Sequence, residues 1–227
     1  MSLLGKAALA MWWDIAPDVR ADFEHWHAHE HFPERLGLPG FRRGTRWTAA
    51  NGGDGMYVMF ELESHLTLSS PDYLARLNAP TAWSTRLMPH HRNMVRSQCH
   101  VLESRGGGIA RHALTVRLAP APGRDAELRS RLAGLVRTLP ERPGLTGAHL
   151  LQHQTPAIAT TTEQMIRRGA DQTADWVFVV CGYDLDALAQ VASSELSAHR
   201  LEGEGAAHEP ISGLYGIAYS ATPADVT

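Results

Sequence analysis

Histidines are concentrated in one short stretch of the chain, which raises the question of metal binding or acid–base catalysis. The stretch His25–Phe41 reads HWHAHEHFPERLGLPGF. On an α-helix its first four histidines form two i,i+4 pairs on opposite flanks, His25 with His29 and His27 with His31. One metal ion cannot bind all four, and neither an HExxH motif nor a third ligand accompanies either pair. We interpret the pairs as solvated helix flanks and expect no metal site.

Glu30 is the residue of this stretch that most favours a functional site. On a helical wheel it lies within about 40° of Phe23 and Trp26, in the centre of the apolar stripe. An unpaired carboxylate there is costly, so Glu30 either has a partner such as Arg46 or serves a site. Under the second alternative, Glu30 and His31 are the expected acid/base groups and Arg46 orients the substrate.

The overall composition is that of an ordinary globular chain. Its 227 residues are 44% hydrophobic and 20% charged, with a net charge of −3. Lys and Arg are scattered, which argues against a nucleic-acid partner. No apolar run reaches the ~18 residues of a membrane span, and the N-terminal segment lacks the charged start of a signal peptide. We expect a cytoplasmic protein in which Cys99 and Cys181, each in an apolar run, are buried reduced thiols.

The chain contains an internal repeat. Three segments of the first half recur in the same order in the second: ALAMWWDIAP as ALTVRLAPAP, LPGF as RPGL, and YVMFELES as WVFVVCGY. Because fixed-offset similarity indicates duplicated structural units, we predict a first repeat over 1–104 and a second over 110–227. A glycine linker over 105–109 joins them.

Hydrophobic periodicity and the positions of Gly and Pro predict the order βαββαβ in each repeat. The predicted elements of the first repeat are strands at 7–13, 41–48, 55–63 and 94–103, with helices at 17–31 and at 71–90, the latter broken by Pro80. Those of the second are strands at 111–118, 145–153, 174–182 and 211–220, with helices at 123–139 and 184–199. This order is the ferredoxin-like motif, whose antiparallel sheet carries both helices on one face. We therefore predict an α+β fold in which the bare faces of the two sheets pack together as an intrachain barrel, with a ligand-sized space between them.

Polar strand faces and aromatic residues are the candidates for lining that space. Arg42 and Arg46 share one face of the second strand, and Arg96 shares a face of the fourth strand with Gln98 and His100. Such faces are unsuited to packing under helices and fit either solvent or the space between the sheets. The expected ligand-binding residues are Trp12, Trp26, Tyr57, Met59, Gln98 and His100.

Residues 155–174 form an insertion without a counterpart in the first repeat. Thr160 and Glu163 stand at capping-box spacing and predict a short helix near 162–168. Loops of this length are uncommon unless they are functional. The insertion is either a lid over the cavity or a surface decoration.

The segment Phe23–Trp47 resembles the pattern W-x-x-x-E-H-x-P-x-x-L-x-L-P-G-F…R-[WY] of the dimeric α/β barrel superfamily, especially its EthD-like and stress-responsive groups. NAPTAWS at Asn78–Ser84 is similar to a segment of the same groups. The resemblance is carried by motifs over 7–103 and by fold pattern alone in the second repeat. It implies the barrel fold and a wide range of functions, from cofactor-free monooxygenases, isomerases, cyclases and dehydratases to haem-binding proteins.

We expect a small-molecule-binding barrel protein that works as a cofactor-free enzyme of isomerase, cyclase/dehydratase or monooxygenase type on a small apolar or aromatic substrate. The alternatives are a non-catalytic ligand-binding or stress-responsive protein, and a haem-binding barrel that would use His90 or His91. The expected partner is a small molecule between the two sheets, with no nucleic acid and no membrane. Because each repeat supplies the other's partner sheet, we expect a monomer or a weak homodimer.

Overall fold

The computed structural model describes residues 3–167 and 171–226, and its strands form two matching series. Those of the first half are Ala7–Asp14 (β1), Phe41–Ala49 (β2), Gly55–Leu62 (β3) and Arg92–Gly106 (β4). Those of the second half are His112–Leu118 (β5), Leu145–His153 (β6), Trp176–Gly182 (β7) and Ile211–Ala221 (β8). The predicted order of strands is confirmed in both halves.

The α-helices are interspersed between these strands. Those of the first half are Pro17–Trp26 (α1), Phe32–Leu36 (α2), Pro71–Asn78 (α3) and Ala82–Leu87 (α4). Those of the second half are Asp125–Thr138 (α5), Thr162–Ile166 (α6), Leu185–Ser193 (α7) and Ala198–Gly203 (α8). The predicted break at Pro80 is confirmed, because α4 begins anew where the Thr81 hydroxyl accepts a hydrogen bond from the Ser84 N–H at 3.0 Å. Within the described ranges, no helix is long and apolar enough to cross a membrane.

The eight strands close into one antiparallel barrel in the order β1-β3-β2-β8-β5-β7-β6-β4. Within each half the first and third strands lie in the centre, as in a ferredoxin-like sheet. The two sheets are hydrogen-bonded along both edges, where β2 pairs with β8 and β4 pairs with β6. The predicted intrachain barrel of two ferredoxin-like units is therefore confirmed.

The barrel interior is packed with side chains where a ligand-sized space was expected. Trp12, Tyr57 and Trp47 stack in succession, with ring centroids 5.1 Å apart at each step. Trp12 Nε1 donates to Thr115 Oγ1 at 3.1 Å, and the Tyr57 hydroxyl donates to Met59 Sδ at 3.4 Å. Large side chains fill the interior because alternate residues of β1 and β3 point inward.

Both cysteines also face this interior. Cys99 and Cys181 are buried and free, as predicted. Burial raises the pKa of both thiols, that of Cys181 to about 12, so neither forms a thiolate at neutral pH.

The glycine segment between the halves is held in place by its backbone. The Gly107 N–H donates to the Thr146 carbonyl oxygen at 2.7 Å, and His149 Nε2 donates to the Gly107 carbonyl oxygen at 3.2 Å. Gly106 has a φ of +74°, and a Cβ there would lie 2.1 Å from the Thr146 oxygen, so the position requires glycine. The bounds given to the two repeats and the linker stay a prediction.

The helix predicted over 17–31 contains a π turn that the sequence pattern does not reveal. After α1 ends at Trp26, the next five residues form a π turn in which the Phe32 N–H donates to the His27 carbonyl oxygen. The chain then continues as α2, with Pro33 in its first turn. In a regular α-helix the ring of Pro33 would collide with the carbonyl four residues back, and the wider turn accommodates it.

The π turn changes which side chains face the sheet. It contains one residue more than an α turn, so the following residues are rotated by about 100° from their helical-wheel positions. His31 consequently takes the inward position that the wheel assigned to Glu30. Glu30 turns towards α4, where its hydrogen-bond partners lie.

Candidate functional site

A cavity lies in the first half, between the helices and the outer face of the sheet. Alternate residues of β1 and β4 form its floor, the region of the π turn forms its wall, and the insertion of the second half forms its roof. The principal floor and wall residues are Leu9, Met11, Trp13, Trp26, His27, His31, His91 and Arg96. The roof residues are Ile158, Thr161, Glu163, Gln164 and Arg167.

A short helix forms in the insertion, one residue away from the predicted capping box. Thr161 and Gln164, rather than Thr160 and Glu163, make the reciprocal capping hydrogen bonds at the start of α6. The predicted helix extended to residue 168, which lies outside the described residues.

Hydrogen bonds attach the insertion to the first half, and it covers the cavity as a lid. The Thr162 N–H donates to Asn78 Oδ1 at the end of α3, at 3.0 Å. Further on, Gln172 bonds to β4 through the backbone of Met94 at 3.1 Å and of Arg96 at 2.8 Å. The sequence left open whether the insertion is a lid or a surface decoration, and this geometry agrees with a lid.

A buried ion pair also connects the lid to the first half. Arg35 of α2 and Glu163 of α6 are each 3% exposed and form a direct ion pair. Arg35 Nη1 also lies 3.3 Å from Glu34 Oε2, and its guanidinium carbon lies 5.8 Å from the centroid of the Tyr73 ring. Buried charges of this kind are stable only while paired.

Three histidines line the cavity as neutral imidazoles. His27, which is 1% exposed, stacks on His31 with ring centroids 5.3 Å apart, and His91 packs against Trp13 at 4.9 Å. Burial lowers the pKa of His27 and His31 well below 6.5, with neighbouring arginines acting in the same direction. Burial also lowers the pKa of His91, to about 4. All three rings are therefore uncharged at neutral pH and can accept a proton.

Hydrogen bonds determine which nitrogen carries the proton in two of these rings. His91 Nδ1 lies 2.8 Å from the Met88 carbonyl oxygen, which only accepts, so Nδ1 is protonated and Nε2 is an acceptor. Arg46 Nη1 donates to His27 Nδ1 at 3.4 Å, so His27 carries its proton on Nε2.

Two buried polar atoms of the cavity wall have no hydrogen-bond partner in the described part of the chain. They are Trp13 Nε1, which can only donate, and His31 Nδ1. Leaving a buried polar group without a partner costs about 1–3 kcal/mol. Such atoms are expected where a ligand or water completes the hydrogen bonds.

The cavity is small while the lid is closed. The centre of a water-sized sphere can reach about 40 Å³ of it. By the same measure one water needs roughly 10–15 Å³, so only a few waters fit. His91 offers the free Nε2 that a haem ligand needs, but a porphyrin ring does not fit beneath the closed lid.

Two of the predicted site residues, His31 and Trp26, line this cavity, with ring centroids 4.7 Å apart. Glu30 does not line it. Glu30 Oε1 accepts hydrogen bonds from Trp26 Nε1 at 3.0 Å, Thr81 Oγ1 at 2.5 Å and Ser84 Oγ at 3.3 Å. The carboxylate thus joins the end of α1 to the start of α4.

Replacing Glu30 with leucine is expected to lower the free energy of unfolding by about 1–3 kcal/mol, because the hydroxyls of Thr81 and Ser84 lose their acceptor and Trp26 Nε1 keeps only Ser84 Oγ. Leu135 or Gly134 occupies the matching position in the second repeat, so steric fit alone would allow the change. Urea denaturation followed by fluorescence measures the effect, with Glu24→Leu as the control. A variant as stable as the wild type would show that these bonds contribute nothing.

Two arginines of the polar strand faces, Arg46 and Arg96, lie under the helices, which corrects the expectation that such faces avoid them. The third, Arg42, is exposed and lies 3.0 Å from Glu63. Arg46 Nη1 donates to the Glu24 carbonyl oxygen at 3.3 Å, and its guanidinium lies 5.9 Å from the centroid of the Tyr219 ring. Arg96 Nη2 donates to the Tyr73 hydroxyl at 2.9 Å. Arg46 tolerates burial there because a helical carbonyl and an aromatic ring receive its guanidinium group.

The other predicted ligand-binding residues lie elsewhere. Gln98 follows Arg96 on the same strand face, in a groove beside the lid. His100 Nε2 lies 2.9 Å from Gln154 Oε1, and its ring stacks on His65 at 4.3 Å. The remaining three, Trp12, Tyr57 and Met59, belong to the packed barrel interior.

The histidine-rich stretch divides into an exposed pair and a cavity pair. His25 and His29 are exposed, as predicted for solvated flanks, but that interpretation is wrong for the buried His27. Within residues 3–167 and 171–226, no group of three or more His, Cys, Asp or Glu side chains is placed to hold a metal ion.

The sequence reasoning missed several cavity residues, of which Trp13 had the clearest signal. Strand alternation puts Trp13 on the face opposite Trp12, so choosing the helix-covered face as the ligand side would have identified it. The roles of His27, Arg35 and Glu163 depend on the π turn and on the lid, and no local pattern indicates either.

Aliphatic side chains fill the space between α5 and the sheet of the second half. Five buried residues of α5 pack against the sheet there: Leu128, Leu132, Ala133, Leu135 and Val136. The two halves share a fold, and the first half carries the candidate site.

Comparisons with models of protein families and with curated proteins give no match. Solved structures do match over nearly the whole chain. An anthrone oxidase-like protein has a TM-score of 0.67 at 12% identity, covering 98% of this chain and 96% of its own. A suggested monooxygenase from Fusobacterium nucleatum has a TM-score of 0.59 at 10% identity, covering 97% and 96%. Another from Lactobacillus acidophilus has a TM-score of 0.56 at 9% identity, covering 96% and 97%.

These matches and the closed eight-stranded barrel define the class of fold: this is a dimeric α+β barrel in which one chain supplies both ferredoxin-like units. The barrel fold implied by the motif of the first repeat is thereby confirmed. The narrower likeness to EthD-like and stress-responsive proteins stays a prediction.

Proposed function

We propose that this protein is a cofactor-free enzyme that removes a proton from a small, flat, largely apolar molecule and passes the resulting anion to molecular oxygen. The observation that carries the proposal is the buried cavity of the first half, where three neutral imidazoles and two unpartnered polar atoms meet. The anthrone oxidase-like protein and the suggested monooxygenases with this fold support the choice of reaction. We place the ligand in this cavity rather than between the sheets, where aromatic side chains fill the space.

His31 is the proposed base, because its buried Nδ1 has no partner and its ring is neutral at working pH. It takes a proton from a methylene group flanked by aromatic rings, which leaves a carbanion conjugated with them. Reaction with O₂ converts the methylene into a carbonyl that keeps one oxygen atom. The other oxygen leaves as water with both methylene hydrogens, so the equation balances without a further reductant.

Glu30 and Arg46 are positioning residues in this proposal. Glu30 holds the Trp26 indole through its Nε1, and that indole packs against His31. Arg46 fixes the tautomer of His27, whose ring stacks on His31. Both residues act on the orientation of the base without touching the substrate.

We also propose that the protein works as a monomer. Every strand of the barrel already has two neighbours within the chain, so the ring of strands needs no second copy. Light scattering coupled to size-exclusion chromatography measures the mass directly. A stable dimer at micromolar concentration would overturn this part of the proposal.

His31→Phe is expected to reduce turnover by roughly 100-fold or more, the usual contribution of a positioned base. Phenylalanine preserves the stacking on His27 and Trp26 but cannot accept a proton. Oxygen consumption with anthrone as the probe, without any added metal or cofactor, measures the rate. His25→Phe, an exposed histidine on the same segment, is the matched control and is expected to behave as the wild type.

Wild-type rates in His31→Phe would remove His31 as the base. Tight binding of anthrone without oxygen consumption by the wild type would instead favour a non-catalytic binding protein. A Soret absorption band that appears on adding haemin and saturates at one equivalent would show that the lid opens far enough for haem, and would favour the haem-binding alternative.

A further inference from the structure

Arg96 is a buried cation without an anionic partner. Its side chain is 7% exposed, and its guanidinium makes one hydrogen bond, from Nη2 to the Tyr73 hydroxyl. No carboxylate lies within ion-pair distance of it in the described part of the chain. A guanidinium carries five N–H donors, so most of those of Arg96 are available to a ligand.

The other charges around the cavity are already balanced. Of the other two arginines that line the cavity, Arg35 pairs with Glu163 and Arg167 pairs with Asp171. The histidines of the wall are neutral. Arg96 is therefore the arginine of the cavity lining that has no ion pair, and it lies on the floor. Arg46 has no ion pair either, but it lies outside the lining and donates to His27 and to the Glu24 carbonyl.

Trp13 lies beside Arg96 on that floor. Met11 of β1 stands directly opposite Arg96 of β4, and Trp13 follows Met11 by two residues on the same face. Diagonal neighbours of this kind have backbones roughly 7–8 Å apart, within reach of long side chains. Trp13 Nε1 is one of the two unpartnered buried atoms of the cavity. Arg96, a cation without an anionic partner, and Trp13 Nε1, a donor without an acceptor, thus lie on the same cavity floor.

We propose that Arg96 and Trp13 form an anion subsite, and that the substrate carries or develops a negatively charged oxygen on its flat apolar body. This inference rests on the proposed function and narrows its substrate class to aromatic carboxylates, or to phenols and enols that bind as anions. The guanidinium neutralises the oxygen, and the indole N–H donates a second hydrogen bond. The apolar body lies against Leu9 and Met11.

Three probes of similar size test the subsite: benzoate, 4-nitrophenol and uncharged nitrobenzene, each titrated by calorimetry. Benzoate and 4-nitrophenolate are expected to bind at least tenfold more tightly than nitrobenzene. The absorbance of bound 4-nitrophenol gives an independent readout, since its ionisation is expected to occur about one pH unit lower than in water. Comparison of the two anions shows whether the subsite prefers a carboxylate or a phenolate.

Arg96→Gln is expected to lose this preference for anions, with at least tenfold weaker binding of both, while nitrobenzene binding stays unchanged. Its Tm should be equal or higher, because an uncompensated buried charge is removed. Trp13→Phe should weaken anion binding by a smaller factor. Arg117→Gln is the matched control, since Arg117 is also a partly buried arginine without an ion pair, packed over Trp12 away from the cavity.

Equal binding of all three probes, unaffected by Arg96→Gln, would overturn the anion subsite and leave the proposed cavity function standing. Failure of every probe to bind the wild type at millimolar concentration would overturn the proposed function, and the subsite with it. Loss of anion binding in Arg117→Gln as well would show a general charge effect and would also count against the subsite.

Discussion

Replacing Arg35 with methionine is expected to lower the free energy of unfolding by about 3–5 kcal/mol. The change leaves Glu163, which is 3% exposed, without the cation that compensates its charge. The loss includes the attachment between the lid and α2, because no other ion pair joins them in the described residues. Urea denaturation of the wild type and the variant at neutral pH measures the difference.

The double variant Arg35→Met/Glu163→Leu separates the cost of a stranded charge from the contribution of the pair. With both charges gone it is expected to recover most of the lost stability, as apolar replacements of buried pairs do. Arg86→Met is the control, since Arg86 and Asp22 form an exposed pair at 3.0 Å whose loss should cost less than about 1 kcal/mol. If Arg35→Met costs no more than Arg86→Met, the ion pair does not hold the lid.

On the proposed function, the lid would have to open before a substrate of aromatic size could enter so small a cavity. A molecule larger than a few waters enters only if α6 moves away from α2, which requires separation of Arg35 and Glu163. The double variant should therefore bind ligands faster than the wild type, since opening no longer separates two buried charges. This kinetic difference would appear in stopped-flow fluorescence, where the indole of Trp26 reports from the cavity wall.

The sequence predicted the fold well because the fold depends on signals that each element carries locally. Period-two alternation marks the strands, Pro80 marks the break between α3 and α4, and the repeat shows that the pattern occurs twice. Which face of the sheet binds a ligand cannot be predicted from such local signals. It depends on how completely Trp12, Trp47 and Tyr57 fill the interior, which is a matter of packing rather than of pattern.

The candidate site was only partly predictable for two physical reasons. First, a helical wheel assumes a rotation of 100° per residue, which does not hold in the π turn before Phe32. His31 therefore has the inward position that the wheel assigned to Glu30. Second, Glu163 lies 128 residues away from Arg35, its partner. The sequence of the first repeat alone does not indicate that the insertion of the second repeat covers its cavity.

Stability is expected to fall steeply as the pH drops from about 6.5 to 4, because the fold holds four buried or half-buried histidines in neutral form. Burial lowers the pKa of His91 and His149 to about 4 and that of His27 and His31 well below 6.5. In this window the unfolded chain binds protons that the folded chain excludes, so the free energy of unfolding rises with pH and levels off above about 6.5. A difference from 6.5 to about 4 corresponds to roughly 3 kcal/mol for His91 alone.

Urea denaturation at pH 7.5 and at pH 5 measures this dependence, and His91→Gln identifies its origin. Glutamine keeps a donor for the Met88 carbonyl and does not titrate, so the variant should lose less stability between the two pH values than the wild type. His25→Gln, which changes an exposed ring, should retain the full dependence. An equal loss in all three proteins would assign the acid sensitivity to carboxylates instead, and the histidines of the cavity would then not be buried bases.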